Sequence, residues 1–253
     1  MDRPDFQDVW DYAKRLQTVS LAAQNELKSF FALLDTSNPE YARDKLIAFC
    51  RALSDKYGPV SGQLAAEWYD KLRTQEIGSG YTAIIGSTPP IGSIEASTRY
   101  ICGDLWNEDS NDALGALTGM VDRYVKQDAR NTIMENIANE VDAGTMKSRK
   151  RYQRGSTSPG FARVPTGRTT CAWCLLLAGR GYVYWSPETA GEFNKYHAHC
   201  DCVIVPAWGS DHSISGYDPS DYYDMYREAR KQTEGVKDAN SISATMRKMY
   251  GLS

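Results

Sequence analysis

The window from Cys171 to Cys202 constrains this chain more than any other stretch. It holds Cys171-Ala-Trp-Cys174 and, after a gap, Tyr196-His197-Ala198-His199-Cys200-Asp201-Cys202. The whole chain has six cysteines and three histidines, so most of its soft ligands are crowded into this one place. Thiolates and imidazoles at such spacing are the usual ligand set of a structural zinc ion. A segment this short and polar cannot hold itself together by burial alone, so a metal tie between its two halves would dominate its folding.

Cys171 and Cys174 are separated by two residues, which lets one tight turn aim both sulfurs at one ion. His197 and Cys200 repeat that gap with an imidazole in place of one thiolate. The symmetry of spacing favours Cys171, Cys174, His197 and Cys200 as the set holding a structural Zn2+. Sets that use His199 or Cys202 stand as alternatives, because Cys200 and Cys202 share a face wherever the segment is extended. In zinc-finger peptides such an ion contributes on the order of 10 kcal/mol of apparent folding free energy. The bland alternative is a group of buried cysteines and hydrogen-bonded histidines. A catalytic zinc keeps an open position with an acid or base beside it. Neither the deaminase pattern, His-x-Glu with Pro-Cys-x-x-Cys, nor the His-Glu-x-x-His of zinc proteases occurs here. The thiolate-rich set therefore reads as closed and structural.

A formal charge of −3 over 253 residues leaves no strong field for nonspecific attraction to nucleic acid by the whole surface. No apolar run reaches the roughly 18 residues of a membrane span, and Met1-Asp-Arg-Pro-Asp5 lacks the apolar core of a signal peptide. The expected setting is the interior of a cell, where thiols stay reduced and paired cysteines favour metal over disulfide. Cys50 and Cys102 lie alone in helical contexts and read as small buried hydrophobes.

The fold class expected is mainly α: a helical N-terminal body over 1–145, a basic and flexible linker over 146–160, and a small α+β zinc-stabilised domain with a C-terminal helix over 161–253. Phe6, Val9, Ala13, Leu16, Ser20, Ala23, Leu27, Phe30 and Leu34 recur at spacings of three and four, the stripe of one long helix. Pro39 suits the first turn of a second helix, which Gly58-Pro59 is expected to end. A third would start at Val60 and carry Trp68 and Tyr69 into the core. Gly78-Ser-Gly80 and Pro89-Pro90 bracket an irregular stretch. A helix near Ile94–Trp106 and a long one through Leu117 and Ile137 follow. Phe161–Val164, Tyr182–Trp185 and Cys202–Val205 are strand-like, with Pro206 suited to a strand end or edge. The last helix runs from about Asp218 toward Met249, with a weakly apolar middle at 232–241 as a break point.

Phe161-Ala-Arg-Val-Pro-Thr-Gly-Arg-Thr-Thr-Cys-Ala-Trp-Cys174, Gly179-Arg-Gly-Tyr-Val-Tyr184 and Tyr196-His-Ala-His-Cys-Asp-Cys-Val-Ile-Val-Pro206 together resemble the Mu F-like minor head proteins of tailed phages. The C-terminal part of that group carries Cys-x-x-Cys followed by His-x-x-Cys-x-Cys. The helical half is similar to the version found in phages of actinobacteria, through Leu64-Ala-Ala-Glu-Trp-Tyr-Asp70 and Gly216-Tyr-Asp-Pro219. Many relatives have proline after the first histidine, where this chain has Ala198. The resemblance implies a minor capsid protein of head morphogenesis that acts in procapsid assembly near the portal. It implies a virion location in the capsid interior after synthesis in the host cytoplasm. It also implies contacts with portal, scaffold or major capsid protein, and no membrane.

Members of that group also carry the label capsid maturation protease, so a protease acting on scaffold or capsid precursor is the alternative. No residue set here is assigned to catalysis. There is no Gly-x-Ser-x-Gly elbow, and the adjacent Asp211-His212-Ser213 cannot converge as a triad. A second alternative is a zinc-containing nucleic-acid-binding module. Lys147, Arg149, Lys150, Arg151 and Arg154 offer a basic contact for packaged DNA, and Tyr182, Tyr184 and Trp185 offer stacking surfaces.

Overall fold

The computed structural model describes residues 5–106, 110–142, 159–167, 170–184, 200–208 and 214–252. The expected basic linker, with Lys147 to Arg154, lies almost wholly outside the described residues, as do His197, His199 and His212.

Helix α1 (Phe6–Ala32) starts where the Asp5 carboxylate accepts the Asp8 N–H at 2.9 Å. Its buried face takes Val9, Leu16, Ser20, Ala23 and Leu27 from the expected stripe and adds Tyr12, Gln24 and Phe31, while Phe6, Ala13, Phe30 and Leu34 are partly buried. Helix α2 (Pro39–Ile77) begins with Asn38 as N-cap and proline in its first turn. It then runs through Gly58-Pro59 without ending, which corrects the expected pair of shorter helices. Pro59 removes one backbone hydrogen bond, but the flanking residues on the inner face are small. Gly58, Ser61, Gly62 and Ala65 are all buried and let α2 approach α4 (Ser110–Asp142) closely. A Cβ on Gly58 would lie 2.6 Å from the Asp128 carboxylate of α4. Packing gained along this seam offsets the lost bond.

Between α2 and α3 (Ile91–Ile101) the chain lies as an extended strap along α4. The Asn136 side chain accepts the Ile84 N–H at 2.9 Å and donates to the Ile84 carbonyl at 2.7 Å. Gly86 donates to Thr132 Oγ1 at 3.0 Å, and a Cβ there would meet the Thr132 backbone at 2.6 Å.

The C-terminal part is built on two antiparallel strands, β1 (Gly160–Val164) and β2 (Val203–Ala207), with Arg163 opposite Ile204. Pro206 sits inside β2, which is tolerated because, among the described residues, β2 is paired on one side only. Of the expected strand at Tyr182–Trp185, Tyr184 forms an isolated bridge to Phe161 and Trp185 lies outside the described residues. Helix α5 (Ala172–Ala178) connects this sheet to a helical hairpin, α6 (Pro219–Gln232) and α7 (Ala239–Tyr250). The expected break in the last helix is therefore present. Ala172 and Leu175 of α5 pack with Ala229, Ile242 and Met246.

One buried cluster crosses from body to sheet. Val9, Tyr12, Trp68, Tyr69, Ile133 and Ile137 share it with Phe161, Val203, Val205 and Trp208. A second, Leu27, Leu46, Leu53, Ile94, Leu117 and Val121 among others, fills the far end of the body. Cys50 and Cys102 belong to that second cluster, and burial pushes their thiols up to about 12 and about 11.

Candidate metal centre

Three short pieces of chain converge on one point. Cys174 lies in the first turn of α5, whose N-cap is Cys171. Cys200 and Cys202 precede β2, and Arg163 reaches in from β1. The sulfurs of Cys174, Cys200 and Cys202 are buried and lie within 4.8 Å of one another. The separations are 3.4 Å for Cys174–Cys200, 3.6 Å for Cys174–Cys202 and 3.1 Å for Cys200–Cys202. A tetrahedral zinc with Zn–S bonds of about 2.3 Å needs sulfurs about 3.8 Å apart. The three thiols therefore fit such an ion with shifts of a few tenths of an ångström to about 0.7 Å, and the cluster is able to hold a metal ion.

Of the preferred set, the structure brings Cys174 and Cys200 together and adds Cys202, one of the two alternates. Cys171 is not part of that mutually close group, although its sulfur also hydrogen-bonds with the Cys174 thiol. It is partly exposed, and its sulfur accepts the Cys174 N–H at 3.3 Å as an N-cap does. The alternation of an extended segment puts Cys200 and Cys202 on one face and Asp201 on the other. Asp201 turns toward Gly167, where a Cβ would meet its carboxylate at 1.8 Å, and its backbone carbonyl accepts from Thr166 Oγ1 at 2.6 Å. Burial, with the Cys202 and Cys171 sulfurs nearby, raises its carboxyl to about 6.

Two arginines frame the sulfurs. Arg130 of α4 donates to the carbonyls of Cys200 and Cys202, both at 3.3 Å, and so pins the loop to the helical body. The Arg163 Nη2 lies 3.3 Å from Cys202 Sγ, 3.9 Å from Cys200 Sγ and 4.0 Å from Cys174 Sγ. Hydrogen bonds from the Cys174 and Cys200 sulfurs hold the Cys202 thiol well below its usual value, and both guanidiniums add to that. Hydrogen bonding to Cys171, Cys200 and Cys202 pushes the Cys174 thiol up. The trio is thus biased toward thiolate at Cys202, the form in which cysteine binds metal. A cavity of about 250 Å³ between α1, α4 and the Cys200–Cys202 loop lies against this site and is lined by Cys200, Asp201 and Cys202.

Arg163 and Arg130 were not among the residues expected to matter. Arg163 is nevertheless legible in retrospect, as a charged residue in an otherwise apolar strand eight positions before the first cysteine pair. Tyr182 and Tyr184 are 5% and 3% exposed, so neither offers a face for a base to stack on, contrary to the nucleic-acid reading.

A helical body joined to a small sheet that carries a buried cysteine cluster defines the class: a mainly α protein with a candidate soft-metal centre. The chain matches the VG15 protein family over residues 3–229 and belongs to it. It is 35% identical to the Gene 15 protein of Mycobacterium phage L5, over 19% of this chain and 29% of that one. It is 34% identical to the Gene 15 protein of Mycobacterium phage D29, over 19% and 28% respectively. The matched stretches thus span less than a third of those relatives. The family is a phage protein family. No solved structure matches the chain. Among the described residues, no helix is long and apolar enough to cross a membrane.

Proposed function

We propose that this chain is a phage head-morphogenesis protein, a minor capsid component of the Mu F-like kind that acts in procapsid assembly near the portal. The observation that carries the reading is the buried trio Cys174, Cys200 and Cys202, set where the resemblance requires Cys-x-x-Cys to meet Cys-x-Cys, in a chain that belongs to a phage family. In this reading the trio holds a structural Zn2+, which ties α5 to the start of β2 and fixes the small sheet against the helical body. The ion's chemistry is that of a cross-link. Arg130 and Thr166 hold the loop in the conformation that presents both sulfurs. The partners are portal, scaffold or major capsid protein, and the location is the capsid interior.

The test is a phage with an amber mutation in this gene. Procapsids from a suppressing host should contain the protein, and the non-suppressing host should yield aberrant or portal-deficient heads under the electron microscope. Normal heads without it would sink the reading. Cleavage of scaffold or capsid precursor by the purified chain, abolished by one point substitution, would make it the maturation protease instead.

A further inference from the structure

Arg163 is among the largest fully buried side chains of the described residues, and its guanidinium faces three sulfurs. A guanidinium stays charged at every physiological pH, and burying it is costly without opposite charge nearby. Three thiolates around a divalent cation leave one excess negative charge. The guanidinium supplies one positive charge against it, from a single nitrogen within 4.0 Å of every sulfur. Its place in the fold is also fixed. Arg163 is on β1, paired with Ile204 of β2, one residue beyond Val203 and two beyond Cys202. The strand that carries the counter-charge is thus hydrogen-bonded to the strand that two of the ligands lead directly into.

We propose that Arg163 is the built-in counter-charge of the centre, and that it sets how tightly the three thiolates hold a soft divalent cation. The inference rests on the zinc reading above. Arg163 does not ligate the ion. It is a positioning residue whose nitrogen neutralises and hydrogen-bonds the sulfurs that do. Groups that orient metal ligands from outside the coordination sphere typically change affinity by about 10–100-fold when removed. Arg163 is expected to behave in the same way.

The experiment uses the full chain purified with zinc. Metal content is counted by native mass spectrometry, and affinity is read by competition with a chromophoric chelator. Wild type, Arg163→Lys and Arg163→Gln are compared. Wild type should hold one zinc, Arg163→Lys should stay within several-fold of it, and Arg163→Gln should bind at least tenfold more weakly with the same helical circular dichroism. Equal affinity in all three overturns the counter-charge and leaves the metal reading standing. A wild-type chain that takes up no zinc overturns both. Should Arg163→Gln fail to fold, recovery of its fold by excess zinc supports the proposal. Failure of excess zinc to restore it makes Arg163 a packing residue and overturns it.

Discussion

The indole Nε1 of Trp208 donates to Glu140 Oε2 at 2.9 Å, across the division between the helical body and the small sheet. Glu140 sits in the last turns of α4 and Trp208 just beyond β2. The same carboxylate accepts from Tyr69 OH and from Arg73 Nε, both at 2.6 Å, and is fully buried. The Trp208 ring meets Tyr69 edge-on with centroids 5.0 Å apart. A buried carboxylate with three donors on two parts of the chain links the stability of those parts at this seam. Glu140→Ala strands Arg73 without this partner and is expected to cost about 3–5 kcal/mol. Trp208→Phe keeps the ring and removes one donor, at about 1.5–3 kcal/mol. Urea unfolding followed by far-ultraviolet circular dichroism reads both losses. A change below 1 kcal/mol for Glu140→Ala would show that the carboxylate does not join the two parts.

The strap between α2 and α3 should be as dependent on one side chain. Asn136 serves the Ile84 N–H and carbonyl as a neighbouring strand would, and it also accepts from Tyr81 OH at 2.7 Å. Asn136→Ala is expected to cost about 1–3 kcal/mol locally. The Ile84 amide should then exchange with solvent at least several-fold faster, and protease should cut first within 78–90. Unchanged exchange at Ile84 would contradict the assignment.

Asp128 makes stability depend on pH. Its carboxylate lies against Gly58 in the seam between α2 and α4, and neither oxygen meets a hydrogen-bond partner among the described residues. Burial, aided by the Asp55 charge, raises it from an ordinary 3.8 to about 7. Between those values the folded chain keeps a proton that the unfolded chain has released. Stability therefore falls as pH rises from about 4 to about 7, and this contribution levels off above that. The drop is of the order of a few kcal/mol. Asp128→Asn should abolish it, so the difference in stability between variant and wild type should grow in the variant's favour from pH 4 to pH 7. Parallel pH profiles would mean that the carboxyl titrates normally.

The helices were legible because their signals are local. The α1 stripe, the Asn38-Pro39 start of α2 and the weak middle of the last helix all state their outcome within a few residues. Gly58-Pro59 misled because its effect depends on α4, seventy residues away. A glycine that reads as a stop is there for the close approach of Asp128. Tyr182–Trp185 reads as strand, yet of its described residues Tyr184 finds one bridge to Phe161, since pairing depends on which edge is free. At the centre, the residue types were plain and the register was not. Spacing symmetry favoured Cys171, which caps α5 while Cys174 turns inward, and His197 and His199 lie outside the described residues. Arg163 was invisible as a partner because sequence shows its charge and not the sulfurs across the strand.

The same geometry ranks the cysteines. Cys174, Cys200 and Cys202 are mutually close and buried, and Cys171 is partly exposed with its sulfur held by a backbone N–H. Replacing Cys202 by serine removes the sulfur nearest Arg163, which is also 3.1 Å from Cys200 Sγ and 3.6 Å from Cys174 Sγ, so zinc binding should be lost. Cys171→Ser preserves a capping oxygen for the Cys174 N–H and should weaken binding far less. Stripping the metal from wild type should lower thermal stability and reproduce the Cys202→Ser melting curve, because both leave α5 untied from β2. The helical body should keep most of its far-ultraviolet signal, since its second core around Leu46 and Leu117 has no part in the centre. Calorimetry with and without chelator, paired with zinc counts per chain, measures each step. Equal zinc loss from Cys171→Ser and Cys202→Ser would place Cys171 among the ligands and require the N-cap of α5 to open when the ion binds.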